Sequence, residues 1–140
     1  MLQSDWKDEY LWDLDSARTY CESGNPINSR NADGMTPLMH AAQSSSTPEI
    51  VQLLLNNRAN VESRDNYGRT ALMYAAQASS TPELVKLLLE RKSQINARDN
   101  NGWTPLIHTV QHSSTPEIVQ LLLDNKAQIE ARDNEEATEN

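Results

Sequence analysis

The residues most capable of chemistry are few and scattered. His108 and His112 stand four apart in a stretch of helical periodicity, a spacing at which two imidazoles can share a metal ion. No Glu follows His108, so the metalloprotease helix motif is missing, and no third ligand is evident. Position 108 is also matched, 34 and 68 residues earlier, by Tyr74 and His40, which marks it as a scaffold position. Cys21 is the only cysteine, which fits a reducing compartment. It falls in register with Leu55 and Leu89, so a small buried residue is expected there and not a nucleophile. The Thr-Pro pairs at 47–48, 81–82 and 115–116 offer hydroxyls for phosphorylation, but each precedes an apolar helical run, where capping is the expected role. No glycine-rich phosphate loop occurs, and the many carboxylates converge on no site. The residues therefore predict no catalytic group, no metal, no cofactor and no enzyme.

The elements that carry these residues repeat. Gly34, Gly68 and Gly102 recur every 34 residues, within copies running 31–64, 65–98 and 99–132. A period of this length means stacked supersecondary units rather than one core folded from distant segments. In the third copy, Asp99-Asn100-Asn101-Gly102 is turn chemistry, with Gly102 supplying a positive φ. Thr104-Pro105 opens a short helix whose apolar side is Leu106, Ile107 and Val110. Thr115-Pro116-Glu117 opens a second. Its Ile118, Val119, Leu121, Leu122 and Leu123 are too apolar for a solvated helix and predict a sandwiched one. Ile129 to Arg132 reads as an extended return to the next turn, so strand content should be minimal.

The run Gly-x-Thr-Pro-Leu, then Ala-Ala, then Glu-Ile-Val-x-Leu-Leu-Leu and Ile-Asn-Ala-Arg-Asp resembles the ankyrin repeat, and the resemblance covers residues 31 to 132. It implies an all-α fold, a short solenoid of helix-turn-helix pairs linked by β-turn or hairpin loops. Residues 1–30 resemble a degenerate amino-terminal capping repeat, with Ala17, Tyr20, Cys21 and Ile27 in register with Val51, Leu54, Leu55 and Val61, and Trp6 to Trp12 as its first helix. Residues 133–140 are an acidic tail or the start of an incomplete repeat. Three features depart from the family pattern. Met39, Met73 and Ile107 precede His40, Tyr74 and His108 where the family has His then Leu. Ser-Ser-Thr-Pro lengthens each interhelical loop by about one residue. Arg58, Lys92 and Lys126 replace the helix-ending glycine, at roughly 1 kcal/mol each if that site is left-handed.

The resemblance places partner binding on the concave face of turn tips and first helices. By position these are Met35, Tyr67, Arg69, Asn100, Asn101 and Trp103 at the tips, with Gln43, Gln77, Gln111 and His112 on the helices. Met, Tyr, Arg and Trp are types that dominate interface energetics. Arg30, Arg64, Arg98 and Arg132 recur at each unit's end. They read as a ladder paired with Asp33, Asp65, Asp99 and Asp133, or else as a basic stripe for an acidic partner. The formal charge of −8 argues against nucleic acid. Hydrophobic content of 37% and mean hydropathy of −0.70 suit a thin stack with much surface. The first 14 residues hold neither a Sec signal nor a membrane span, so a soluble cytoplasmic protein is expected; a non-Sec export route would leave no mark here. The expected function is a non-catalytic protein-binding module serving as adaptor, inhibitor or targeting element. The alternative is assembly: the last repeat keeps its apolar residues, and weak self-association through that end would cover them.

Overall fold

The computed structural model describes residues 13–44, 48–78, 82–112 and 116–127. They form seven helices: α1 (Leu14–Glu22), α2 (Pro37–Ser44), α3 (Pro48–Asn56), α4 (Ala71–Ala78), α5 (Pro82–Glu90), α6 (Pro105–His112) and α7 (Pro116–Asp124). No strand occurs among the described residues. The starts follow from the sequence. Proline occupies the first helical position of five helices, where its missing N–H costs nothing. The hydroxyls of Thr36, Thr70 and Thr104 accept from the backbone N–H of Met39, Met73 and Ile107 at 3.4, 3.4 and 3.3 Å. Asp13 caps α1 by accepting from Ser16 N–H at 2.7 Å.

The ends of the second helices share one device. Arg58, Lys92 and Lys126 take left-handed φ values of 72°, 68° and 74°. Arg58 N–H donates to Leu55 O at 3.1 Å and Ala59 N–H to Leu54 O at 3.0 Å, the paired bonds of a Schellman cap. Lys92 with Ser93 and Lys126 with Ala127 repeat it. The departure from glycine read in the sequence thus carries the backbone strain expected of it.

The helices form two layers. α2, α4 and α6 pack side by side, as do α1, α3, α5 and α7. Between the layers Ile50, Leu54, Leu84, Leu88, Ile118 and Leu122 are wholly or almost wholly buried. Each contributes about 1.5–3 kcal/mol by leaving water. Ala41, Ala42, Ala75 and Ala76, also buried, let the first helices approach closely. α1 packs on α3 as the later second helices pack on one another. The Tyr20 hydroxyl donates to Pro26 O at 2.7 Å and ties down the chain that leaves α1. The Trp6 to Trp12 helix, the Thr47, Thr81 and Thr115 caps, the return from Ile129 to Arg132, and the tail at 133–140 lie outside the described residues.

One core assignment needs correction. Val110 does not belong to the apolar side of its helix: it is 63% exposed, whereas Ala42 and Ala76 at the same repeat position are 0%. The face that buries those alanines receives the next first helix, and among the described residues no further first-layer helix follows α6. His108 and Thr109 are buried in α6 instead; the Thr109 hydroxyl donates to a carbonyl oxygen, with Ala76 O and Pro105 O both at 3.2 Å.

Candidate functional site at the turn tips

Each turn is locked by one side chain at its start. Asp65 Oδ1 accepts from the N–H groups of Tyr67 and Arg69, both at 2.9 Å, and Asp99 Oδ1 accepts from Asn101 and Trp103 at 2.9 Å. Asn31 does the same for Asp33 and Met35 at 2.9 and 3.0 Å. The second carboxylate oxygen turns inward, to the Tyr74 hydroxyl from Asp65 and to His108 Nε2 at 2.9 Å from Asp99. Successive tips are stitched together. Asn66 N–H donates to Asp33 O at 2.9 Å and its side-chain amide to Ala32 O at 3.1 Å; Asn100 repeats this on Tyr67 O and Asn66 O at 3.0 and 3.2 Å. This close approach requires glycine. A Cβ on Gly34 or Gly68 would stand 2.8 or 2.9 Å from the backbone nitrogen of Asn66 or Asn100, besides facing φ near +79°.

Aromatic and cationic groups form one cluster on this frame. Trp103 is half-buried, edge-on to His108 at 5.1 Å between centroids and tilted over His112 at 5.6 Å. One repeat back, the Arg69 guanidinium lies 5.6 Å from the Tyr67 ring and 5.9 Å from the Tyr74 ring, with Nε 3.8 Å from Asp99 Oδ2. Such cation–aromatic contacts contribute about 0.5–1 kcal/mol at exposed sites. Tyr67 is 55% exposed and lays its ring open to solvent. Burial, then the Asp65 hydrogen bond and charge, hold the Tyr74 phenol above its ordinary range, so it stays an O–H donor. Burial pushes the His108 imidazole below its ordinary range, and Asp99 opposes that without prevailing. His108 is therefore neutral near pH 7, donating from Nε2 to Asp99.

The ten residues singled out from the sequence divide by surroundings. Tyr67, Arg69, Trp103 and His112 fall within this cluster, with Met35 half-buried one repeat earlier at the position of Arg69 and Trp103. Asn101, Gln43 and Gln111 are exposed. Gln77 is half-buried, and its side-chain oxygen has no hydrogen-bond partner. Asn100 is exposed, but its amide serves the stitch between tips. The four residues that hold the cluster, Asp65, Tyr74, Asp99 and His108, are the ones the sequence reading missed as a set. Their signal was a pairing nine apart in each copy, an acceptor side chain that starts the turn and a ring that can donate to it: Asn31 with His40, Asp65 with Tyr74, Asp99 with His108.

The arginine–aspartate ladder is corrected. Arg30 donates to Arg64 O, Arg64 to Gly68 O at 3.3 Å and Arg98 O at 2.5 Å, and Arg98 to Gly102 O at 3.4 Å. Asp65 and Asp99 are consumed by their own turns, so the guanidinium groups pair with carbonyls of the next unit instead. Asp133 lies outside the described residues.

His108 and His112 stack at 6.0 Å between ring centroids with rings 23° apart, and His108 Nε2 is already engaged by Asp99. His108 Nδ1 is buried with no hydrogen-bond partner. Among the described residues no group of three or more His, Cys, Asp and Glu could hold a metal ion. Burial, then the charge of Glu22, raises the Cys21 thiol and leaves it a poor nucleophile. No helix among the described residues is long and apolar enough to cross a membrane.

A family model described as ankyrin repeats (3 copies) matches residues 13–99 and 78–133. Repeats of this kind mediate protein–protein interaction and are typically not enzymes. No curated protein matches the chain.

Proposed function

The chain belongs to the ankyrin-repeat family, and from that premise we propose that it is a non-catalytic protein-binding module, an adaptor, inhibitor or targeting element. Its partner contacts the concave edge through Met35, Tyr67, Arg69, Asn101, Trp103 and His112, flanked by Gln43, Gln77 and Gln111, while Asn100 keeps the tips in register. The repeats run 31–64, 65–98 and 99–132 behind a cap at 1–30, with an acidic tail or incomplete repeat at 133–140. The lone thiol suits a cytoplasmic site of action.

The observation that carries this reading is the Tyr67–Arg69–Trp103–His112 cluster. Large amphipathic side chains stand at tips already held by carboxylate locks and interrepeat stitches, so little ordering entropy opposes binding. Affinity capture from the native host, repeated with Tyr67→Ala and Trp103→Ala together, tests it. A partner that also binds the purified chain should lose at least about tenfold in affinity, the cost of one hot-spot side chain. Undiminished binding by a folded double variant sinks the assignment.

One observation favours a second reading, weak self-association through the last repeat: Val110 is exposed where Ala42 and Ala76 are buried. Leu122 is wholly buried, so Val110→Glu is the variant that alters this face without breaking the core. Sedimentation should show association that weakens in Val110→Glu; a strict monomer at high concentration removes the reading.

A further inference from the structure

The second-helix layer carries a groove that the tips do not use. It lies between α3 and α5, with a volume of 360 Å³. Pro48 and Leu87 are half-buried and give it an apolar base; Glu49, Glu83, Glu90 and Lys86 are exposed around it. Three carboxylates against one ammonium leave the lining net negative, in a chain that is itself at −8. The neighbouring cation Arg91 is bonded to Asn56 Oδ1 at 2.9 Å. The sequence repeats the pattern one unit on. Pro82 and Leu121, the counterparts of Pro48 and Leu87, are half-buried, and Glu83, Glu117 and Asp124 are exposed, with the exposed Lys86 at the position of Gln52.

We propose that this face docks a polyproline-type peptide segment bearing arginines three residues apart. Charge complementarity selects a cation, and the apolar base selects which one. A guanidinium is planar and weakly hydrated, lies flat on proline and leucine, and presents a fork to two carboxylates; an ammonium is compact and holds its water. Spacing selects the period. Packed helices stand about 8–10 Å apart, and a polyproline chain advances about 3.1 Å per residue with three residues per turn, which puts side chains three apart on one face. Every third side chain therefore meets the next seat. The like charge of the face repels nucleic acid and anionic lipid.

The test is an amide NMR titration of the full chain with acetyl-Ala-Arg-Pro-Pro-Arg-Ala-amide. The same peptide with citrulline for arginine, and one with a single proline between the arginines, are the controls. Saturable shifts are expected at Gln52, Glu83, Lys86 and Leu87, with affinity falling about tenfold or more between roughly 0.05 and 0.5 M salt. Glu83→Gln with Glu90→Gln should weaken binding at least about fivefold, and Lys86→Glu should strengthen it. Four results overturn the proposal: no saturable shift, equal binding of the citrulline peptide, equal binding of the shortened spacing, or shifts confined to Tyr67 and Trp103. Because these residues are distant in sequence and role from the tips, failure here leaves the tip-binding reading untouched.

Discussion

At the residue scale, His108 decides how the third turn responds to acid. It is 0% exposed, and only Asp99 takes its Nε2 proton. Burial holds its folded value below the usual 6.5. As pH falls, the unfolded chain takes up the proton first, so stability is full above about 6.5 and is lost as pH drops through the lower folded value. The melting temperature should therefore fall between pH 7.5 and pH 5 more steeply than in His108→Tyr, a variant that copies the Tyr74–Asp65 pair one repeat back. Equal slopes would mean that His108 is not the group responsible. Removing the carboxylate instead, by Asp99→Ala, strips an acceptor from Asn101, Trp103 and His108 and should cost about 1–3 kcal/mol. This pair was hard to read in advance because an aspartate in a turn is ordinarily solvated, and only comparison of the copies links position 99 to position 108. The positions of the tip residues were legible, since Met35, Arg69 and Trp103 differ at one repeat position, and Asp33, Tyr67 and Asn101 at another, on an otherwise repeating frame.

At the scale of the element, the second helices carry a cost that their own ends reveal. Lys92 is left-handed at φ 68°, where a side chain clashes with the following carbonyl and glycine does not. Lys92→Gly should raise stability by about 0.5–1 kcal/mol, read as a higher denaturant midpoint, the relieved strain less the added freedom of the unfolded chain. Gly68→Ala should do the reverse and cost more, because its new Cβ meets the Asn100 nitrogen at 2.9 Å as well as the φ of +78°. A neutral Lys92→Gly would show that the added freedom of the unfolded chain cancels the relieved strain. The helices were legible because leucine columns and Thr-Pro starts recur in three copies. Val110 was not, because an apolar residue in a repeating helix reads as core whether or not a neighbour lies beyond it. The destination of the arginines was not legible either, since carbonyl acceptors leave no mark in a sequence.

At the scale of the whole molecule, stability should be a sum over neighbours rather than one all-or-none quantity. α5 packs on both α3 and α7, whereas the only second helix α7 meets among the described residues is α5. Leu88 and Leu122 occupy the same position in these helices and are equally buried at 0%. Their local loss on truncation is therefore similar, about 2–5 kcal/mol for a leucine cut to alanine in a core. The consequences differ by location. Leu122→Ala weakens the end of the described row, so hydrogen exchange should accelerate in α6 and α7 while α2, α3 and α4 keep their protection. Leu88→Ala weakens the middle and removes support from both sides, so protection should fall in every repeat. If Leu122→Ala instead lowers protection evenly from α2 to α7, the repeats unfold as a single unit and nearest-neighbour coupling exceeds the stability of any one of them. The same measurement bears on recognition. Trp103 and His112 belong to the repeat that frays in Leu122→Ala, whereas Tyr67 and Arg69 belong to one that stays folded. A partner spanning all four should then bind Leu122→Ala more weakly in proportion to the fraction of time α6 is open, with the tip residues themselves unchanged.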